Sequence, residues 1–320
     1  MHIPDGFLST PVWASLNAVS LPAVGWMAHR AQSGLSDASS DAGVRTNAAR
    51  AIPLMGVLGA FVFAAQMINF PIPLGTSAHL VGGALMTIVL GPAAAGVVMT
   101  AILVVQAFVF QDGGIMALGA NVANMALIGV LAAYIPHRLW GGSWRSAGIF
   151  MSGALSVLVS GCFALSELAL SGVPMPARLV SISLGLFLVS ALAEGAITLG
   201  AVRAIERLSP GITGAREPQR AGSRLIGAAA IASVLLVTAG VLVASAAPEN
   251  IERLAAQFGI SAHAPIWLHA PLADYEWQGS APLWLRRASA GLAGIALIYG
   301  ICALTGRFLA RRFLMRRGSA

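Results

Sequence analysis

The sequence predicts an all-α fold. It reads as a polytopic bundle of transmembrane helices, with a seven-span core, two further C-terminal spans, the N-terminus outside and the C-terminus inside. Three observations carry that reading. Of 320 residues, 57% are hydrophobic and 10% are charged, whereas a soluble domain carries about 25% charged residues. The mean hydropathy is +0.81. The 19 basic side chains are all arginine, and they fall in short segments between long apolar runs, the distribution of a membrane protein that crosses several times. The same facts exclude an ordinary cytosolic domain, a disordered chain and a nucleic-acid binder. A chain without lysine cannot write the phosphate-binding GxxxxGK[ST] loop and offers no side-chain amine for Schiff-base chemistry.

A membrane-crossing helix needs about 20 apolar residues. Apolar runs lie near 10–28, 50–69, 79–91, 93–111, 114–135, 147–171, 177–203, 225–247 and 288–306, which gives nine spans. Asp5, not a basic residue, precedes the first run, so it is expected to be a retained span and not a cleaved signal peptide. Residues 29–49 are small, polar and of low complexity, and predict a flexible cytoplasmic loop. In the second span Gly56, Ala60 and Ala64 form a stripe of small residues. Such a stripe serves either packing within the chain or docking of a partner helix. The third run is short and ends at Gly91-Pro92, a helix stop followed by a new start, which leaves depth for something else to fill. Glu167 and Glu194 fall inside spans, where a carboxylate is a functional candidate by default. Glu167 is close enough to the end of its span to be solvated. Cys162 and Cys302 lie in apolar runs and are expected to be buried thiols.

An Arg-, Gly- and Pro-rich linker at 206–224 separates a core over 1–205 from a second module over 225–320. That module has two spans around an outside segment, 248–285. With the N-terminus outside, 15 of the 19 arginines, among them Arg30, Arg138, Arg203, Arg216 and Arg316, become cytoplasmic. The reverse topology would place them outside, against the positive-inside rule.

The chain begins Met1-His2. A bulky second residue keeps the initiator Met, whose free α-amine titrates near 7.7–8.0, roughly. The Met1 amine and the His2 main-chain nitrogen close a five-membered ring on a metal. The same main-chain nitrogen and the His2 Nδ1 close a six-membered ring. Three nitrogens thus lie in one plane, a set suited to Ni(II) or Cu(II), and open to low-spin cobalt. His79, in Gly75-Thr76-Ser77-Ala78-His79 at the mouth of the short third helix, is the candidate fourth ligand. The bland alternatives are a frayed His2 and a His79 hydrogen-bonded to Thr76 or Ser77. The turn Ile3-Pro4-Asp5-Gly6 followed by Phe7-Leu8 favours a terminus pinned in the bundle. Asp5 and Asp112, the outside carboxylates of the core, fit turns. Gln66, Asn69, Ser77, Asn121 and Asn124 are candidates to orient a metal-bound imidazole, Asn121 first among them. His29 and His137 map to the cytoplasmic side. His263 and His269 are either surface histidines or a metal-delivery station.

MHIPDGFLSTPVW is similar to the start of the nickel/cobalt substrate-binding (S) components of energy-coupling factor (ECF) transporters, the CbiM/NikM family. The resemblance continues in QMINFPIPLGTSAHLVGGAL, LGPAAAGVVMTAILVVQAFVFQDGG and ALGANVANMALIG, over about residues 1–205. It implies that Met1, His2 and His79 hold Ni(II) or Co(II) as the transported substrate, with a lean toward nickel from the PDG at 4–6. It also implies a plasma (inner) membrane location, a transmembrane coupling (T) subunit and two ATPase (A) subunits as partners, and no enzymatic activity of the chain's own. The second module resembles a fused NikN/CbiN partner, although Ala247-Pro248-Glu249-Asn250-Ile251-Glu252 departs from that family's PDGLE-like stretch. Two other classes are an S component for an organic vitamin and a membrane metalloenzyme. The first needs clustered aromatics at the mouth, which the core sequence lacks. The second needs a motif such as HExxH, which is absent.

Overall fold

The computed structural model describes residues 2–36, 41–210, 212, 223–245, 247 and 269–317. The helices are α1 (Thr10–Ser36), α2 (Asp41–Gln66), α3 (Gly83–Leu90), α4 (Pro92–Phe110), α5 (Leu118–Leu139), α6 (Arg145–Leu170), α7 (Ala177–Leu208), α8 (Ser223–Thr238) and α9 (Leu283–Arg317). Six segments among the described residues are long and apolar enough to cross a membrane: Pro92–Phe110, Leu118–Leu139, Gly142–Leu170, Ala177–Leu208, Ser223–Leu242 and Leu283–Leu309. The chain is therefore an all-α, multi-pass bundle. Ile52–Gln66 is a shorter apolar helix, and the 8-residue α3 is the short element expected before Gly91-Pro92.

Between α2 and α3 the chain makes a small antiparallel ribbon, β1 (Phe70–Ile72) and β2 (Thr76–Ala78), with Phe70 opposite Ala78 and Ile72 opposite Thr76. Pro71 and Pro73 cannot continue a helix, and Leu74 takes a positive φ of 65° in the turn. The ribbon returns the chain to the bundle just before His79.

Two expectations need correction, and one open alternative is decided. The predicted loop at 29–49 is helical through Ser36 and again from Asp41. Its alanines favour helix more strongly than the polar composition suggested. The stripe on α2 is covered by the chain's own last helix: a Cβ added at Gly56 would stand 2.8 Å from the Tyr299 ring, and Gly59 faces Val98, Ile298 and Cys302. Packing within the chain explains that stripe. Cys302 is buried as expected, but Cys162 lies on the bundle's surface, and both thiols are free.

The main core gathers Phe63, Leu85, Met86, Met99, Ile102 and Ile298 from α2, α3, α4 and α9. A second cluster forms where the N-terminal segment inserts among the ends of α5, α6 and α7. There Ile3, Phe7 and Leu8 pack with Ala120, Leu168 and Phe187. Burying a side chain the size of Ile3 stabilises by about 1.5–3 kcal/mol, so the segment is seated and does not fray. Apolar side chains on α7 and α8, such as Leu188, Leu192, Ile231 and Leu235, face outward, as lipid-facing positions do. Two stretches are wide π-helical turns, Gln106–Phe110 in α4 and Val122–Ile128 in α5; such turns recur at functional sites.

Candidate metal centre

The seat of the N-terminal segment is built from hydrogen bonds in which main-chain groups pair mostly with the side chains of Asn121 and Asp5. The Ile3 N–H donates to Asn121 Oδ1 at 2.8 Å, and Asn121 Nδ2 donates back to the Ile3 carbonyl at 3.1 Å. The Gly114 N–H also donates to that carbonyl, at 2.9 Å. The Asp5 carboxylate accepts from the amides of Ile115, Met116 and Ala117 at 3.0, 2.8 and 3.1 Å. These amides belong to the turn that leads into α5, and the positive N-terminal end of that helix favours a carboxylate beside it. Gly113 has a φ of +86°, and a Cβ on it would crowd Asn121 and His2. Gly114 has no room for a Cβ beside Asp5. The Gly-Gly turn therefore lets the first residues of the chain pass. Replacing Asp5 with Ala should lower stability by about 1–3 kcal/mol, the usual cost of leaving donors without their acceptor. Thermal unfolding of the detergent-solubilised protein reads this, and an unchanged midpoint would contradict the seat described.

His2 is buried, and its ring lies face to face with His79, with centroids 5.3 Å apart and planes 10° from parallel. Its Nδ1 is 3.1 Å from Asp112 Oδ1, a close but poorly aligned contact, and neither ring nitrogen has an aligned hydrogen-bond partner. Buried polar atoms are normally satisfied, so an imidazole in this condition is a ligand candidate. The other oxygen of Asp112 accepts from the Tyr275 hydroxyl.

His79 is buried as well, and its Nδ1 meets the Leu80 carbonyl at 2.9 Å. That contact puts the ring proton on Nδ1 and the lone pair on Nε2, the arrangement usual for a metal-binding imidazole. The residues after it are gripped from both sides. The Val81 and Gly82 amides donate to the two oxygens of Glu194, each at 2.8 Å. Gln66 Nε2 donates to the Val81 carbonyl at 2.7 Å, and Gln106 Nε2 reaches Gln66 Oε1 at 2.8 Å and the Tyr275 hydroxyl at 3.3 Å. A hydrogen-bonded chain thus runs from Asp112, beside His2, to the main chain next to His79.

The structure brings His2 and His79 together. Met1 lies outside the described residues, as does His263. His269 is exposed, next to Ala270, whose amide approaches Gln111 Oε1 at 3.4 Å. Among the described residues no group of three or more His, Cys, Asp or Glu side chains is arranged to hold a metal. Thr76 and Ser77 donate their hydroxyl protons to the carbonyls of Pro73 and Ala247. Asn121 clamps the Ile3 main chain with both ends of its amide, so its role is to seat the segment that carries His2. Asn124 donates to Glu167 Oε2 at 2.8 Å. Glu167 is buried, not solvated. Asn69 receives the Ser245 N–H on its main-chain carbonyl.

Sequence reading missed three groups: Glu194 as a clamp, Asp112 as the neighbour of His2, and Tyr275. The last stacks on Phe110, with centroids 4.8 Å apart, beside Phe63. Aromatic side chains therefore do cluster near the two histidines, but Phe63 and Phe110 are fully buried and packed on one another.

A family model described as "Cobalt uptake substrate-specific transmembrane region", CbiM, matches residues 2–212. A NikMN chain of Archaeoglobus fulgidus is 33% identical over 305 residues, 94% of this chain and 96% of that one. A fused nickel transport protein NikMN of Rhodobacter capsulatus is 28% identical over 363 aligned residues, covering 96% and 99%. A cobalt transport protein CbiM of Acetoanaerobium sticklandii is 31% identical over 172 residues, covering 53% and 67%. The solved structure of a truncated transition metal transporter superposes with a TM-score of 0.54 at 29% identity, covering 65% of this chain and 99% of that one.

Proposed function

The chain belongs to the CbiM/NikM family of transition-metal transport proteins, and we propose that it captures Ni(II), or Co(II), in a nitrogen site made by Met1, His2 and His79. As a family member it is an S-component-like transport protein of the plasma membrane and not an enzyme. The observation that carries the finer reading is the pair of buried imidazoles held 5.3 Å apart at the seated N-terminal segment. The donors are the Met1 amine, the His2 main-chain nitrogen and Nδ1, and His79 Nε2. Two of these are main-chain nitrogens, so the site does not require a third ligating side chain.

The wider arrangement is part of the same proposal. The core at 1–205 forms seven spans with the N-terminus outside. The linker at 206–224 joins a NikN/CbiN-like module at 225–320, and the C-terminus lies inside. A T subunit and two A subunits supply coupling and ATP hydrolysis. Nickel is the favoured ion. In the vitamin alternative the Phe63, Phe110 and Tyr275 rings would line a pocket, but here they fill one another's surfaces.

The test is metal binding by the purified full-length chain with its native terminus, using Ni(II), Co(II), Zn(II) and Mg(II). One Ni(II) or Co(II) per chain is expected, well ahead of Mg(II). Binding releases protons from the amine and the amide, so affinity should fall as pH is lowered, by about tenfold per pH unit for each proton released. No preference over Mg(II), or affinity that is flat between pH 8 and pH 6, roughly the span over which an α-amine titrates, would overturn the reading.

A further inference from the structure

We propose that Glu194, on α7, is the positioning residue of the capture site: it sets where His79 stands. This rests on the reading of His79 as a ligand. The carboxylate is almost fully buried, and both of its oxygens are used on consecutive amides, those of Val81 and Gly82, at 2.8 Å each. Those amides follow His79 by two and three residues and open α3, whose N-cap, Gly82, makes no side-chain cap of its own. An ionised carboxylate can accept both bonds at once, and the positive end of the helix favours its charge.

The anchor is itself fixed. A Cβ on Gly153 of α6 would lie 2.8 Å from the Glu194 carbonyl, and one on Gly195 would lie 2.7 Å from the Phe150 carbonyl. The backbones of α6 and α7 are therefore in close contact at this level. On the other side of the segment, Gln66 holds the Val81 carbonyl. Gly82 has a φ of +74°, and an added Cβ would collide with Val62, so the turn that follows His79 also packs closely on α2.

A cap that only stabilised α3 would raise the unfolding temperature without touching the metal. A positioning residue also changes the affinity and the ligand-field spectrum of the bound ion. The experiment compares Glu194→Gln, Glu194→Asp, Glu167→Gln and His79→Ala in the full chain, each titrated with Ni(II) while its visible spectrum is recorded. Glutamine keeps the shape but turns an NH2 group toward one of the two amide donors. Aspartate keeps the charge but is shorter by one methylene. Both should weaken Ni(II) binding by about 10–100-fold, the usual effect of losing a group that orients a ligand, and both should shift the visible band. Glu167, a second buried carboxylate bonded to Asn124, serves as the control, and its variant should match the parent. If His79→Ala loses binding while Glu194→Gln and Glu194→Asp keep the parent affinity and spectrum, the positioning role is wrong and His79 remains a ligand. If His79→Ala binds as the parent does, the ligand assignment itself is wrong. Should the glutamine variant fail to fold, the aspartate variant decides by the same two readouts.

Discussion

One residue added ahead of Met1 should abolish tight nickel binding. The extension converts the terminal amine into a peptide nitrogen and removes the end of the chelate whose geometry is fixed by covalent connectivity. The chain cannot slide to present its new end. Ile3 is locked by Asn121 and Gly114, and Asp5 is locked by three amides before α5. Moving the register by one residue would break all of these contacts and pull Ile3, Phe7 and Leu8 from their cluster. Affinity should fall by about a thousandfold, or about 4 kcal/mol, as read by equilibrium dialysis or calorimetry. Equal binding by both forms would show that the amine is not a ligand.

The second large effect is expected at His79. Its imidazole is the one donor of the proposed set that does not come from the first two residues, and alanine would leave the planar set open at one corner. Affinity should fall by at least about a hundredfold. The same substitution at the exposed His269 should leave it unchanged. The loss should not be rescued by glutamine, which cannot present a nitrogen lone pair. His79→Ala should still fold, because the main chain after it is held by Glu194 and Gln66 independently of the ring. Loss of binding without loss of thermal stability is therefore the signature to look for. Wild-type affinity in this variant would remove His79 from the site.

The membrane bundle was legible because helices that face lipid must be apolar over a fixed length, and hydropathy reads that directly. The His2 chelate was legible for a different reason: neighbouring residues define its rings, so no tertiary information is required. His79 needed more than that, and came from its place at the mouth of a short helix. The grip of Glu194 on Gly82 spans 112 positions and the bond from Tyr275 to Asp112 spans 163. Contacts of that kind leave no local periodicity or composition to detect. The loop expected at 29–49 shows the opposite failure, since its small polar residues suggested disorder while its alanines supported helix. The strands at 70–72 and 76–78 are three residues each, too short for an alternating pattern to register. At Gly56 the sequence allowed two equal readings, and only the placement of Tyr299 separates them.

The X-ray absorption spectrum of the nickel-loaded protein at the metal edge reads the ligand set itself. A planar set of four nitrogen neighbours is expected, collapsing to a different coordination when one residue precedes Met1. A six-coordinate shell of oxygen and nitrogen, or a spectrum indifferent to the extension, would contradict it.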